Sequence, residues 1–155
     1  MSSAKKKPSS MRILRPRAIK KSEPVLEKSL LESAQAVKGN AYAPYSEFRV
    51  GAAVLGDDDR RFVGVNVENK SYGLTVCAER NAVAAAVVSG ITHIKAVAIA
   101  SDAEPPAPPC GACREVLAEF NPDMNVLLVG SSRQVVRYKL SDLLPTRFVF
   151  KPRSK

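Results

Sequence analysis

The chain has three cysteines, and they fall in two short stretches. Cys77 stands in "TVCAERNAV", and Cys110 and Cys113 stand in "PPCGACREVL". Thiolates are preferred ligands of zinc, and two cysteines at i and i+3 share one side of a helix. A third from a separate helix start completes a set of three. A closed structural site needs a fourth protein ligand, and the single histidine, His93, lies just before a predicted strand, away from both helix starts. Three ligands with an open corner for water is the pattern of a catalytic zinc. A closed site completed by another chain, and a metal-free trio in the core, are the alternatives.

Glu79 and Arg80 fit the same chemistry. Residues two apart in a regular helix point about 200° away from each other. Cys77 and Glu79 therefore converge only if the helix begins between them, with Cys77 at its lip. Glu79 then reaches the water as a proton carrier without being a ligand. The alternative is a first-turn acid that merely complements the helix dipole. Three thiolates around Zn²⁺ leave a negative site, which a guanidinium and two helix N-termini would offset. Arg80 and Arg114 are equal candidates for that guanidinium.

The elements that must position these groups are readable from the apolar periodicity. Val25, Leu26, Leu30, Leu31, Ala34 and Val37 recur on one helical face, with Ser22 placed to cap, Pro24 in the first turn and Gly39 at the end. "AYAPYSEF" reads as a loop, and "FRVGAAVLG" and "RFVGVNVE" as a hairpin turned by "DDDR". The run Ala82 to Val88 is apolar on every side and predicts a buried helix ending at Gly90. "IKAVAIAS" is a strand, "DAEPPAPP" a stiff loop and "CGACREVLAEF" a helix. "NVLLVG" and "QVVRYKL" are further strands, and "SDLLPTRF" closes with a helical turn. The order α-β-β-α-β-α-β-β predicts an α/β fold: a three-layer α-β-α sandwich around a central five-stranded mixed sheet.

Composition supports one soluble domain of 155 residues, 45% hydrophobic and 25% charged. No apolar run approaches the ~18 residues of a membrane span, and no secretory signal opens the chain, so a disulfide framework is not expected. The net charge of +9 suggests a nucleic-acid binder until it is located. Residues 1–22 carry eight basic and no acidic side chains, whereas residues 23–150 carry 13 basic and 15 acidic. The expected organisation is a basic, disordered tail at 1–22, a domain at 23–150, and a basic tail at 151–155. The near-neutral domain argues against nucleic acid as its ligand. The expected location is cytoplasmic. Residues 1–22 also resemble a mitochondrial presequence or a nuclear signal.

"VGVNVENKSYGLTVCAERNAV", "PPCGACREVLAEF", "YAPYSEFRVGAAVL" and the closing "LLPTRF" together resemble the cytidine deaminase family, specifically its small homotetrameric zinc enzymes. The likeness runs from about residue 25 to residue 150, with four motifs in order. It implies hydrolytic deamination of cytidine and 2′-deoxycytidine, with Zn²⁺ on Cys77, Cys110 and Cys113 and with Glu79 as general acid and base. It further implies that Asn66 and Glu68 bind the ribose hydroxyls, that Phe48 packs on the pyrimidine, and that the backbone of Ala78 meets the base edge. Tyr72 and Phe148 would reach a neighbouring subunit's pocket. Lys70 departs from the small residue usual after "NVEN", which bears on substrate range and assembly. Rival expectations are a deaminase of a blasticidin-type nucleoside, a polynucleotide deaminase fed by the basic tail, and a catalytically silent zinc protein.

Overall fold

The computed structural model describes residues 24–150; the expected tails, Ser22 and Glu23 lie outside the described residues. Helix α1 spans Pro24–Lys38, and the hairpin is β1, Val50–Gly56, with β2, Arg61–Val65. Helix α2, Ala78–Val88, leads to β3, Ile94–Ser101, and α3, Gly111–Phe120, leads to β4, Asn125–Val129. Strand β5, Val135–Lys139, and the short α4, Leu140–Leu143, follow. The sheet order is β2-β1-β3-β4-β5. Only β3 and β4, which are bridged by α3, run parallel; the other neighbours are antiparallel. The predicted mixed five-stranded sheet is therefore what forms.

Both faces of this sheet are covered, and alternation along β1, β3 from Ala96 onward, and β4 sorts the side chains. Ala53, Leu55, Ala96, Ala98, Ala100, Leu127 and Val129 pack beneath Leu30 and Ala34 of α1. Ala52, Val54, Val97, Ile99, Val126 and Leu128 pack beneath Ala82, Val83 and Ala86 of α2 and Leu117 of α3. A sheet buried on both faces reads as continuous apolar runs, which is why these strands are legible.

The alternation uses small residues where helices come close. A Cβ added to Gly64 on β2 would stand 2.4 Å from the Ala82 nitrogen and 2.5 Å from the Ala78 carbonyl oxygen, both backbone atoms of α2. Gly64→Ala is thus expected to push α2 off the sheet and to cost about 1–3 kcal/mol. Thermal unfolding against the parent protein checks this; an unchanged midpoint would refute the close approach.

Three details differ from the expectation. The first strand begins at Val50 and the second stops at Val65, so Phe48, Asn66 and Glu68 lie in loops flanking the sheet. The last helical turn closes at Leu143, before Thr146–Phe148. Helix α2 is not buried all round: Ala84, Val87 and Val88 are exposed, Val88 at 89%. The sheet covers one side of the helix, and among the described residues Val87 and Val88 on the other side are left exposed.

Candidate active site

Strand direction decides where the chemistry gathers. β2 and β3 both run antiparallel to β1, so their C-terminal ends share one edge of the sheet. The start of β1 joins them there, with Val50 opposite Ser101. Helices α2 and α3 both begin at that edge after leaving β2 and β3. His93 precedes β3 at the opposite edge.

Cys77 is the N-cap of α2 and Cys110 the N-cap of α3, each in extended backbone, while Cys113 lies in the first turn of α3 and is fully buried. The helix therefore does begin between Cys77 and Glu79. The Sγ atoms of Cys77 and Cys110 are 3.9 Å apart, and all three sulfurs lie within 4.8 Å of one another. A tetrahedral zinc with bonds of about 2.3 Å sets its sulfurs about 3.8 Å apart. The donor set fits that ion in both chemistry and spacing. Among the described residues, no fourth histidine, cysteine or carboxylate joins the cluster.

Charge around the sulfurs is uneven. A hydrogen bond from the Cys113 thiol, above all, brings the Cys77 thiol down to about 6, helped by Cys110 and by the Arg80 guanidinium. Cys113, donating that bond from a buried position, is pushed up. The Arg80 charge is felt at Cys77. Arg114 is engaged elsewhere: its Nε donates to the Pro109 carbonyl at 2.8 Å and its Nη1 to the Leu143 carbonyl at 2.9 Å. It ties the loop before Cys110 to α4.

Glu79 is 5% exposed. Burial, first of all, holds its carboxyl above the ordinary glutamate range, and negative charge on Cys77 adds to this. A carboxyl raised in this way holds a proton more readily than an exposed glutamate, which suits it to take and return protons. Asn81 anchors this first turn of α2 by donating from Nδ2 to the Val65 carbonyl at 2.8 Å.

Opposite the helix mouths, the 43–48 loop is clamped by residues of the 66–68 segment. The Asn66 amide accepts from the Val50 N–H and donates to the Phe48 carbonyl, both at 2.8 Å. The Glu68 carboxylate accepts from the Tyr45 N–H at 2.9 Å, the Ser46 N–H at 3.3 Å and the Ser46 hydroxyl. The Ser46 hydroxyl is the chief reason the carboxyl lies below the ordinary glutamate range. Segment 66–68 is itself held between Tyr42 and Val76 by backbone hydrogen bonds. Phe48 is in this way set against the cavity by two buried polar side chains.

The resulting cavity has a volume of about 260 Å³, at the small end for a small-molecule site. Phe48, Asn66, Glu68, Cys77, Glu79 and Cys110 all contribute to its wall. Ser46, Thr75 and Ser101 also line it and were not singled out in the sequence, because a lone hydroxyl carries no pattern. Ala78 is fully buried and does not line the cavity. Tyr72 and Phe148 do not line their own chain's cavity and are 74% and 78% exposed. Tyr72 touches Tyr45 edge to face, with ring centroids 6.2 Å apart. Lys70 is exposed.

Comparison with known proteins follows the same residues. Residues 25–129 match the family model of the cytidine and deoxycytidylate deaminase zinc-binding region. The cytidine deaminase of Sporosarcina psychrophila is 44% identical over 124 residues, covering 79% of this chain and 90% of that protein. The probable cytidine deaminase of Dictyostelium discoideum is also 44% identical over 124 residues, covering 79% and 83%. The crystal structure of cytidine deaminase from Burkholderia pseudomallei superposes with a TM-score of 0.75 at 43% identity, over 78% of this chain and 98% of that one.

Proposed function

The chain belongs to the cytidine and deoxycytidylate deaminase family, and from that premise we propose how its residues carry out the reaction. It catalyses zinc-dependent hydrolysis of cytidine and 2′-deoxycytidine to the uridines and ammonia. The observation that carries this reading is the convergence of three sulfurs within 4.8 Å of one another at the mouths of two helices, beside a buried glutamate.

Cys77, Cys110 and Cys113 would hold the zinc. When bound, zinc supplies the Lewis acidity that makes water nucleophilic at neutral pH. Glu79 takes a proton from the attacking water and delivers it to ring N3 as the water oxygen bonds C4. It then takes the proton of the new C4 hydroxyl and carries it to the exocyclic amine as the C4–N bond breaks, leaving a C4 carbonyl and ammonia. Arg80 offsets the negative charge of the thiolates. Phe48 packs against the pyrimidine, and the backbone of Ala78 meets the base edge.

Asn66 and Glu68 are proposed to bind the ribose hydroxyls. Each has hydrogen-bonding capacity beyond its loop contacts, since the amide keeps one N–H and the carboxylate further lone pairs. A polymer uses the 3′ oxygen for its chain, which favours a free nucleoside.

A homotetramer with shared sites is proposed, with Tyr72 and Phe148 acting on a neighbour's cavity. Their exposure supports this, as does the uncovered Val87 and Val88 side of α2. In such an assembly Lys70 extends its ammonium toward water. The domain boundaries at 23 and 150 and a cytoplasmic location are proposed likewise. No helix among the described residues is long and apolar enough to cross a membrane.

The test is an ultraviolet assay of the purified protein on cytidine, 2′-deoxycytidine and deoxycytidine monophosphate, with and without a zinc chelator. Turnover of both nucleosides, abolished by the chelator and restored by zinc, is expected. Absence of ammonia release from any of the three would refute the reading.

A further inference from the structure

Ser101 ends β3 and is 2% exposed, yet its hydroxyl has no hydrogen-bond partner among the described residues. It lines the active-site cavity. Alternation along β3 explains why it faces there: Val97 and Ile99 point to the α2 and α3 side, while Ala96, Ala98 and Ala100 point beneath α1. Ser101 continues the Val97–Ile99 series. A buried hydroxyl left unpaired costs about 1–3 kcal/mol, so its place in the cavity wall calls for a partner that enters the cavity.

The sheet indicates which part of a ligand that partner is. Val50 lies between Ser101 on one side and Asn66 on the other, paired with Ser101 in register and hydrogen-bonded to Asn66. With strands about 4.8 Å apart, Asn66 and Ser101 stand about 10 Å from each other across the floor of the cavity. The thiols and Glu79 occupy the helix mouths, where the reacting edge of the base must lie. The row along the sheet edge is left for the remainder of the nucleoside. We propose that Ser101 is a binding residue whose hydroxyl makes a hydrogen bond to the 2′- or 3′-hydroxyl of the nucleoside's sugar, at the end of the row that begins with Asn66. This rests on the nucleoside deaminase reading given above.

Ser101→Ala tests it, with cytidine and 2′,3′-dideoxycytidine as paired substrates. For cytidine, kcat/KM should fall about 2- to 12-fold, with the loss carried by KM. For the dideoxy compound the two proteins should differ less than about twofold, because the hydrogen bond is already missing. The free variant should melt at or above the temperature of the parent, since it loses an unpaired buried hydroxyl. An unchanged KM for cytidine, an equal deficit with both substrates, or a lower melting temperature accompanied by a loss in kcat would each overturn the assignment. If the parent protein itself leaves cytidine untouched, the deaminase reading fails and this inference with it. A parent active on cytidine beside an indifferent variant overturns this inference alone.

Discussion

Replacing Glu79 by glutamine is expected to lower kcat on cytidine by about 10⁴-fold or more while the protein keeps its full zinc content. General acid–base catalysis contributes up to about 10⁴-fold when one group moves one proton, and Glu79 is asked to serve more than one transfer. A 10⁴-fold loss corresponds to about 5.5 kcal/mol of transition-state stabilisation. Glutamine has nearly the same shape, so the first turn of α2 and the three sulfurs keep their places, and KM should change far less than kcat. The fold should not suffer either. Burial works against the ionised carboxyl at this position, and a neutral amide removes that cost. Measurement of kcat, KM and bound zinc on the same preparation checks all three points. Turnover within tenfold of the parent would mean that the protons travel by another route.

The contrast between what the residues disclosed and what they concealed follows from physics. The metal trio was legible because its spacing is local: an i, i+3 pair and one further cysteine, each next to a strong helix signal. The start of α2 between Cys77 and Glu79 was legible for the same reason, since helical rotation alone separates those side chains unless the helix begins there. The five strands were legible because both faces of the sheet are covered, leaving Val-, Ile- and Ala-rich runs. The choice between Arg80 and Arg114 was not legible. Both follow a cysteine-bearing helix start, and only the packing shows Arg114 spent on the Pro109 and Leu143 carbonyls. The clamp of Asn66 and Glu68 on the 43–48 loop joins residues about 20 apart in the chain, through single hydrogen bonds that leave no periodic trace. The exposed Val87 and Val88 ran against the apolar pattern, because an all-round apolar sequence does not tell which side of a helix the sheet covers, and among the described residues only one side is covered.

Removing one sulfur should separate metal binding from folding. Cys113 is the ligand for that experiment, since it is the fully buried member of the trio and sits inside the first turn of α3. Structural zinc sites in small peptides bind with about 10–16 kcal/mol at neutral pH. If three sulfurs share a comparable total, loss of one weakens zinc binding by roughly 3–5 kcal/mol, on the order of 10³-fold. Cys113→Ala should therefore retain less than a tenth of the zinc under mild chelation that leaves the parent loaded, and deamination should fall with it. The packing loss is small by comparison. A buried cysteine behaves as a small hydrophobe, and alanine leaves a void of one atom, worth about 1 kcal/mol. Melting temperatures of the variant and the parent, both stripped of metal, should then lie within a few degrees of each other. Zinc retained in full by the variant would remove Cys113 from the ligand set. A collapse of the metal-free variant beside an intact metal-free parent would make the sulfur a packing residue instead. The expected pattern, zinc and activity lost together from a chain that still folds, is the signature of a ligand.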